Sequence, residues 1–319
     1  MSNKRELISI LIPCFNEEDA INLCHKSVTD VIDDMPYDFE IIYVNDGSTD
    51  HTQELLEHIY ATDKRAVVIN LSRNFGKEAA MTAGIDNAAG DALIILDADL
   101  QDPPSLIPDI INRWKVTGAD VVYGQRLDRE GETWLRKFTA SCFYNVINFL
   151  ANNVDIPKNT GDFRLMNRRA IDALIQLREK HRFMKGLFAW IGYKQVAFEY
   201  DRAPRVAGET KWGYWKLWNF ALEGIAGFST TPLRIASLCG LIISILSFLF
   251  GAFIIYKTLV YGVEIQGWAS LSVMILFLSG IQLLSIGVLG EYIGRIFGEA
   301  KRRPLYFIDT MHRKNSDMH

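Results

Sequence analysis

Two long uncharged runs near the C-terminus set the tightest limit on how this chain folds. Between Arg234 and Lys257 lie 22 residues without a charge, Ile235 to Tyr256, and between Glu264 and Glu291 lie 26 more, Ile265 to Gly290. As helices rising 1.5 Å per residue they would extend about 33 and about 39 Å. The hydrocarbon core of a bilayer is about 30 Å thick. The spacing therefore predicts two transmembrane helices, at about 235–256 and 268–290, within a hairpin segment 232–294. A helical hairpin buried in a soluble core is the alternative, but two adjacent runs of this length rarely serve that purpose. The connection 257–264 carries one Lys and one Glu, whereas Arg234 precedes the first run and Arg295, Lys301, Arg302 and Arg303 follow the second. Cations gather on the cytoplasmic side of membrane proteins. Both termini, the N-terminal part and a basic tail at 295–319 are thus expected in the cytoplasm.

Averaged over all 319 residues, this asymmetry vanishes. Charged residues make up 23%, apolar residues 49%, and the mean hydropathy is +0.06. Such values exclude a disordered chain, a collagen-like chain and a small disulfide scaffold. The net charge of -4 counts against a dedicated nucleic-acid binder. The four cysteines, Cys14, Cys24, Cys142 and Cys239, form no CxxC pair, which disfavours a structural zinc site. The first six residues are polar and the apolar run from Leu7 ends by Pro13, so no cleavable signal peptide is expected.

Residues 1 to about 125 alternate strand and helix patterns. Strands are expected at Ile8–Pro13, Phe39–Val44, Ala66–Leu71, Ala92–Leu96 and Val121–Tyr123. Helices are expected at Glu17–Val31 with Asn16 as N-cap, after Ser48 through Leu55, Leu56 and Ile59, at Gly76–Ala89, and at Pro104–Val116. This alternation predicts an α/β fold, a parallel sheet covered on both faces. Two later segments have amphipathic spacing, 134–150 and a stretch within 213–231 that carries Trp215 and Trp218. Amphipathic helices rich in Trp suit a membrane interface, although ordinary core packing gives the same pattern.

Ligands of open α/β sheets bind beyond the carboxyl ends of the strands. Those ends carry Phe15–Asn16–Glu17, Asn45–Asp46–Gly47–Ser48, Arg73–Asn74 and Asp97–Ala98–Asp99. No GxGxxG or Walker pattern follows any strand, which disfavours a dinucleotide fold and a P-loop NTPase. In Asp97–Ala98–Asp99–Leu100–Gln101, two carboxylates one residue apart and a neutral amide oxygen could share a hard cation, Mg²⁺ or Mn²⁺, completed by substrate phosphates. A turn whose acids cap the following helix would look the same. Asp46 could accept hydrogen bonds from a ribose or a base, or simply shape an Asp-Gly-Ser turn. Arg126, Arg136, Arg205 and Lys211 supply the cations that phosphates require. Asp162, in Gly161–Asp162–Phe163–Arg164, is not separable from a helix cap on composition.

Taken in order, PCFNEE (13–18), VNDGSTD (44–50), SRNFGKE (72–78), DADLQDPP (97–104), TGDFRLM (160–166), RFMKGLFAWIGY (182–193), GETKW (208–212), WKLWNFALEG (215–224) and LGEYIGR (289–295) resemble the inverting family 2 glycosyltransferases. Within that family they are most similar to the polyprenyl-phosphate glycosyltransferases of the bactoprenol glucosyltransferase type, with dolichyl-phosphate mannose synthases more distant. The resemblance implies a GT-A, Rossmann-like catalytic domain over 1–212 and a multi-pass location in a bacterial inner membrane. It implies that Pro13, Phe15, Glu17 and Asp46 hold the nucleotide, with Asp97, Ala98 and Arg205 beside the nucleotide sugar. Asp99 and Gln101 would hold the metal, with Asp97 adjacent. Arg126, Arg136 and Lys211 would bind phosphate, and Asp162 would face the acceptor alongside Asp99 in catalysis. Asn45 stands where many relatives have Asp in a DDGS motif.

The activity so implied is transfer of a sugar, glucose from UDP-glucose first, to the phosphate of undecaprenyl phosphate, by a homo-oligomer that relatives suggest is a tetramer. N-acetylglucosamine, mannose and aminoarabinose donors use similar scaffolds. A processive polysaccharide synthase would add a QxxRW motif and further spans, neither of which the sequence carries. A non-catalytic scaffold for a lipid-linked sugar flippase would not need the intact DADLQ and the basic set.

Overall fold

The computed structural model describes residues 5–126, 157, 160–180, 182–200, 231–261 and 267–314. Arg136, Arg205 and Lys211, together with the two amphipathic segments apart from residue 231, lie outside them. Strands β1 (Leu7–Cys14), β2 (Asp38–Asn45), β3 (Ala66–Leu71) and β4 (Ala92–Ile95) alternate with helices α1 (Ile21–Ile32), α2 (Thr52–Thr62) and α3 (Lys77–Asn87). After α4 (Ile107–Thr117) come β5 (Val121–Arg126), β6 (Thr160–Asn167), α5 (Arg168–Gln176), α6 (Met184–Trp190) and β7 (Gln195–Tyr200). Two long helices, α7 (Thr231–Tyr261) and α8 (Trp268–Ala300), and a last strand, β8 (Ile308–Arg313), complete the described chain.

The strands form one sheet in the order β7-β5-β6-β4-β1-β2-β3-β8. Its centre, β4-β1-β2-β3, is parallel as expected. The flanks are not: β6 runs antiparallel between β4 and β5, and β8 runs antiparallel to β3. The all-parallel expectation is corrected here: α4 carries the chain over to β5, which runs in the same direction as β4, but β6 comes back between the two and pairs antiparallel with both.

The apolar strands alternate their side chains between two faces, as the two-residue period requires. Ile8, Ile10, Ile12, Ile41 and Tyr43 face α1, α2 and α4 through Cys24, Val28, Leu56 and Ile110. Leu11, Ile42, Val44 and Ile69 face α3, α5 and α6 through Ala80, Ala83, Ile171 and Leu187. Strands buried on both faces read as continuous apolar runs, which is why β1 to β4 were visible in sequence.

Two expected helix caps are replaced. Helix α1 begins at Ile21, and Asn16 instead adopts a left-handed backbone (φ 55) while its Oδ1 accepts from Thr49 N at 2.8 Å. Helix α2 begins at Thr52, whose N–H donates to Asp50 Oδ1 at 3.0 Å, while Ser48 Oγ accepts from Asn16 N at 3.0 Å. The polar side chains that resemble caps thus lace the β1–α1 and β2–α2 loops to each other.

Helices α7 and α8 pack together, and many apolar side chains of both are exposed, among them Leu246, Phe253, Phe277 and Leu284. Within α8, Phe277–Ala300 is long and apolar enough, by length and composition, to cross a membrane. The chain then returns to the sheet: β8 covers the edge of β3, a strand absent from the sequence reading of the tail.

Candidate active site

The carboxyl ends of β1, β2, β3 and β4 open on one rim. Pro13 is buried in β1 opposite Val44, past Leu11, where the pairing of β1 with β4 stops. A proline lacks the N–H of a central ladder, and this position needs none toward β4. Beyond it, Phe15 is 39% exposed on the rim. Glu17 N–H is fixed on Thr52 Oγ1 at 2.9 Å.

Asp46 is only 2% exposed. Its two carboxylate oxygens accept from Phe75 N at 2.7 Å and Gly76 N at 2.9 Å. Burial raises its pKa from the ordinary value, against those two hydrogen bonds. In this structure, therefore, Asp46 braces the β3–α3 loop. The next residue explains the approach: Gly47 has φ 64, and a Cβ there would lie 2.5 Å from the backbone of Arg73 and Asn74. Only glycine lets the two loops touch.

At the end of β4 the DADLQ segment turns through Leu100, a second non-glycine residue with a left-handed backbone (φ 57). Such conformations cost about 1–3 kcal/mol and cluster at functional sites. Ala98 is buried, and Asp99 Oδ1 accepts from Gln101 N at 3.1 Å. Gln101 Oε1 is buried and has no hydrogen-bond partner.

Sequence reasoning missed the residue at the centre, Lys77. Its Nζ lies 2.6 Å from Asp97 Oδ1 and 2.6 Å from Asp162 Oδ2. It joins the DAD triplet, at the end of β4, to the GDF triplet, on β6. A physical signal was available: Lys77 opens α3, and a cation at a helix N-terminus opposes the helix dipole unless acids face it. Burial disfavours the ammonium, but the two carboxylates outweigh it and hold the Lys77 pKa well above its usual value. Burial likewise raises Asp97, with Lys77 opposing. Desolvation works against the Asp162 carboxylate too, but Lys77, Lys185 and Arg164 together hold its carboxyl well below the ordinary range. The Asp162 carboxylate is thus held in its charged form.

Each residue of Gly161–Asp162–Phe163–Arg164 has a separate task. A Cβ on Gly161 would fall 2.4 Å from Arg126 Nη2, so the glycine makes room for that guanidinium. Phe163 is buried edge-to-face against Tyr200, with ring centroids 5.6 Å apart. Arg164 lies over the Phe188 ring at 3.5 Å and donates to Gly161 O at 2.9 Å. Arg126 sits 3.5 Å from the fully buried Asp102 and donates to the Tyr200 hydroxyl at 3.3 Å; that hydroxyl donates to Asp102.

Behind Lys77, Glu78 accepts a hydrogen bond from Met184 N–H, while its Oε2 is buried without a partner. Burial, with Asp162 adding repulsion, pushes its pKa up to about 8. Glu78 is therefore protonated at neutral pH.

Among the described residues, no three His, Cys, Asp or Glu side chains form a cluster able to hold a metal ion by themselves. The chemistry of Asp99 and the orphaned Gln101 oxygen fits a hard cation whose other ligands come from substrate, the usual mode for Mg²⁺.

A parallel half that offers loops at its carboxyl rim, joined by an antiparallel strand that returns an acid to that rim, is the GT-A architecture of glycosyltransferases. The chain belongs to glycosyl transferase family 2, whose family model matches residues 9–175. It is 51% identical over 304 residues to an "uncharacterized glycosyltransferase" of Synechocystis sp., covering 95% of each chain. It is 48% identical over 311 residues to the SfII prophage-derived bactoprenol glucosyl transferase of Shigella flexneri, covering 97% of this chain and 99% of that one. A prophage bactoprenol glucosyl transferase homolog of Escherichia coli is 46% identical over 301 residues, covering 94% of this chain and 98% of that one. Among solved structures, glucosyl-3-phosphoglycerate synthase from Mycobacterium tuberculosis, in complex with Mn²⁺, UDP and phosphoglyceric acid, aligns with a TM-score of 0.49 and 20% identity. That alignment covers 69% of this chain and 76% of that one.

Proposed function

We propose that this chain transfers glucose from UDP-glucose to the phosphate of a membrane polyprenyl phosphate, undecaprenyl phosphate, with inversion at the anomeric carbon. The observation that carries the reading is the reach of its likeness to bactoprenol glucosyl transferases, which runs through the catalytic rim and both apolar helices, 97% of the chain. An acceptor whose tail never leaves the bilayer accounts for a soluble sugar-nucleotide site on a chain that also carries such helices.

The nucleophile is a phosphate oxygen. The second pKa of a phosphate monoester is about 6, so at neutral pH the acceptor is mostly dianionic and needs little help from a base. A bond forms from that oxygen to the anomeric carbon, and the bond from that carbon to the diphosphate breaks. UDP departs with the electron pair. Catalysis then rests on positioning and on electrostatics around the diphosphate. Asp162, held ionised by Lys77, Lys185 and Arg164, is a poor base. Its role is to aim the Lys77 ammonium at the reacting phosphates. Asp99 and Gln101, with Asp97 adjacent, would hold Mg²⁺ or Mn²⁺, which neutralises charge on the leaving diphosphate. Arg126, with Arg136, Arg205 and Lys211, supplies phosphate contacts; Pro13, Phe15, Glu17 and the Asp46 turn shape the nucleotide end, with Ala98 beside the sugar.

In this reading 1–212 is the catalytic domain, 134–150 and 213–231 lie in the membrane interface, and 232–294 is a two-span hairpin. The protein is a homo-oligomer of the bacterial inner membrane with both termini cytoplasmic. The test is direct. Purified protein, UDP-glucose, undecaprenyl phosphate and Mg²⁺ should yield UDP and a glucosylated lipid in equal amounts. Asp99→Ala should abolish the metal-dependent turnover while the protein still folds and inserts. Lipid product made only from another sugar nucleotide would reassign the donor, and no lipid product with any donor would overturn the reading.

A further inference from the structure

The C-terminal strand lies against the loop that carries the site. Strand β8 pairs with β3 from Val67 opposite Arg313 to Leu71 opposite Ile308, and Ser72 N donates to Phe307 O at 3.0 Å. Just past that bond, the Phe307 ring packs on Phe75, with centroids 6.3 Å apart, while the Arg73 guanidinium covers Phe75 at 4.0 Å. Phe75 is thus held twice, by its N–H on Asp46 and by its ring against the tail. Two residues later the same loop delivers Lys77 to Asp97 and Asp162.

A second line of contact runs through the sheet. Thr310 Oγ1 accepts from Asn70 Nδ2 at 2.9 Å, Asn70 Oδ1 accepts from Asn45 Nδ2 at 3.0 Å, and Asn45 Oδ1 accepts from Ser48 N at 3.0 Å. In the orientation observed, the chain of amides takes its donor from position 45. Asparagine supplies one and aspartate cannot, which gives a physical reason for Asn45 where a DDGS motif has an acid. Thr310 is in this way connected to the Asp46–Gly47–Ser48 turn.

The segment is anchored at both of its ends as well. Tyr306 OH donates to Asp86 Oδ2 at 2.6 Å, and Arg313 donates to Asn87 O and lies 3.6 Å from Glu40. Helix α8, which the tail follows, meets the catalytic domain at Lys180, whose N–H donates to Glu299 Oε1 at 2.6 Å and whose Nζ donates to Gly298 O at 2.5 Å.

We propose that the segment Tyr306–Arg313 is a working part of the nucleotide-sugar site, with Phe307 and Thr310 as positioning residues that hold the β3–α3 loop and the Asp46 turn for the donor. The proposal rests on the donor reading above and deepens it. A loop fixed before the donor arrives loses less freedom on binding, and that saving appears as affinity. The segment also gives the apolar helices a mechanical connection to the donor rim, because α8 ends at Ala300 and Phe307 already touches the loop.

The experiment uses the full chain in lipid nanodiscs. UDP binding is measured by calorimetry, and KM is measured separately for UDP-glucose and for undecaprenyl phosphate. Phe307→Ala should weaken UDP binding and raise the donor KM by about 3- to 10-fold, a gap of about one contact, with the acceptor KM unchanged. Phe307→Tyr should restore most of the loss. Thr310→Val should weaken UDP binding about 2-fold in the same selective way. UDP binding unchanged in Phe307→Ala, or donor and acceptor KM rising together, would overturn the proposal. Failure of the acceptor reading looks different: wild-type protein would bind UDP and make no lipid product, while the UDP comparison between variants still reads the role of the tail. Wild-type protein that binds no UDP overturns both.

Discussion

The parallel centre of the sheet and its antiparallel flanks are built on different principles. In β4-β1-β2-β3 nearly every residue is buried, and the strands hold the rim by apolar packing on both faces. In β6 the same alternation carries working groups: Asp162 points to Lys77, and the next-but-one residue, Arg164, lies buried over Phe188. Strand β8 is more extreme, with its first four residues exposed. The centre sets where the loops of the rim emerge, and β6 brings a charged group to meet them. The sheet joins centre and flanks along the β4–β6 and β3–β8 ladders, and Lys77 joins their charged groups at the rim.

The largest effect is expected at Lys77. Lys77→Met removes the cation between Asp97 and Asp162 and should lower turnover by about 10²–10³-fold, the usual effect of losing one electrostatic stabiliser. Steady-state kinetics on the purified variant check this, and near-normal turnover would mean that the bridge between the halves is structural only.

Gly47→Ala strikes the parallel half alone. The added Cβ meets backbone at 2.5 Å, from a residue already at positive φ. A loss of about 3 kcal/mol of stability is expected, read from denaturant unfolding of the whole chain, with no change in which metal or acceptor is used.

Glu78→Gln acts where α3 meets α6, and its effect depends on pH. The folded pKa of Glu78 is raised to about 8, so between its unfolded value and about 8 the native state binds the extra proton. Stability contributed by the neutral acid is therefore lost as pH rises through that window. Glutamine, which stays neutral, should make the protein more stable than wild type by about 4 kcal/mol at pH 8, with the difference vanishing at pH 4. Parallel stability profiles from pH 4 to 9 would sink the assignment of a buried neutral acid.

The parallel centre was legible in the sequence because burial on both faces writes an unbroken apolar run, and the limits of β3 were read as Ala66–Leu71, as observed. The rest was hidden for identifiable reasons. Strand β6 mixes Gly, Asp and Arg with Phe, Leu and Met, so periodicity alone could not distinguish it from a capped helix. Strand β8, Ile-Asp-Thr-Met-His-Arg, has no apolar run because its partner is a sheet edge. Asn16 and Ser48 matched helix caps by type but bond across two loops. Within the candidate site, Asp97 and Asp162 were visible through their motifs, while Lys77 was quoted only as part of SRNFGKE. The misfit between a lysine and a helix N-terminus was the clue that composition supplied. That Asp46 braces a loop was beyond sequence reasoning, since both of its partners are backbone N–H groups on another strand's loop.

In the proposed reaction, loops from the parallel centre and the acid-bearing strand of the flank would together support a single in-line displacement by a lipid phosphate. The most direct measurement is the anomeric configuration of the glucosyl lipid made by the purified chain from UDP-glucose, read from the coupling constant of the anomeric proton. A product inverted relative to the donor, formed one for one with UDP, is the expected result. A product that retains the donor configuration would contradict the account.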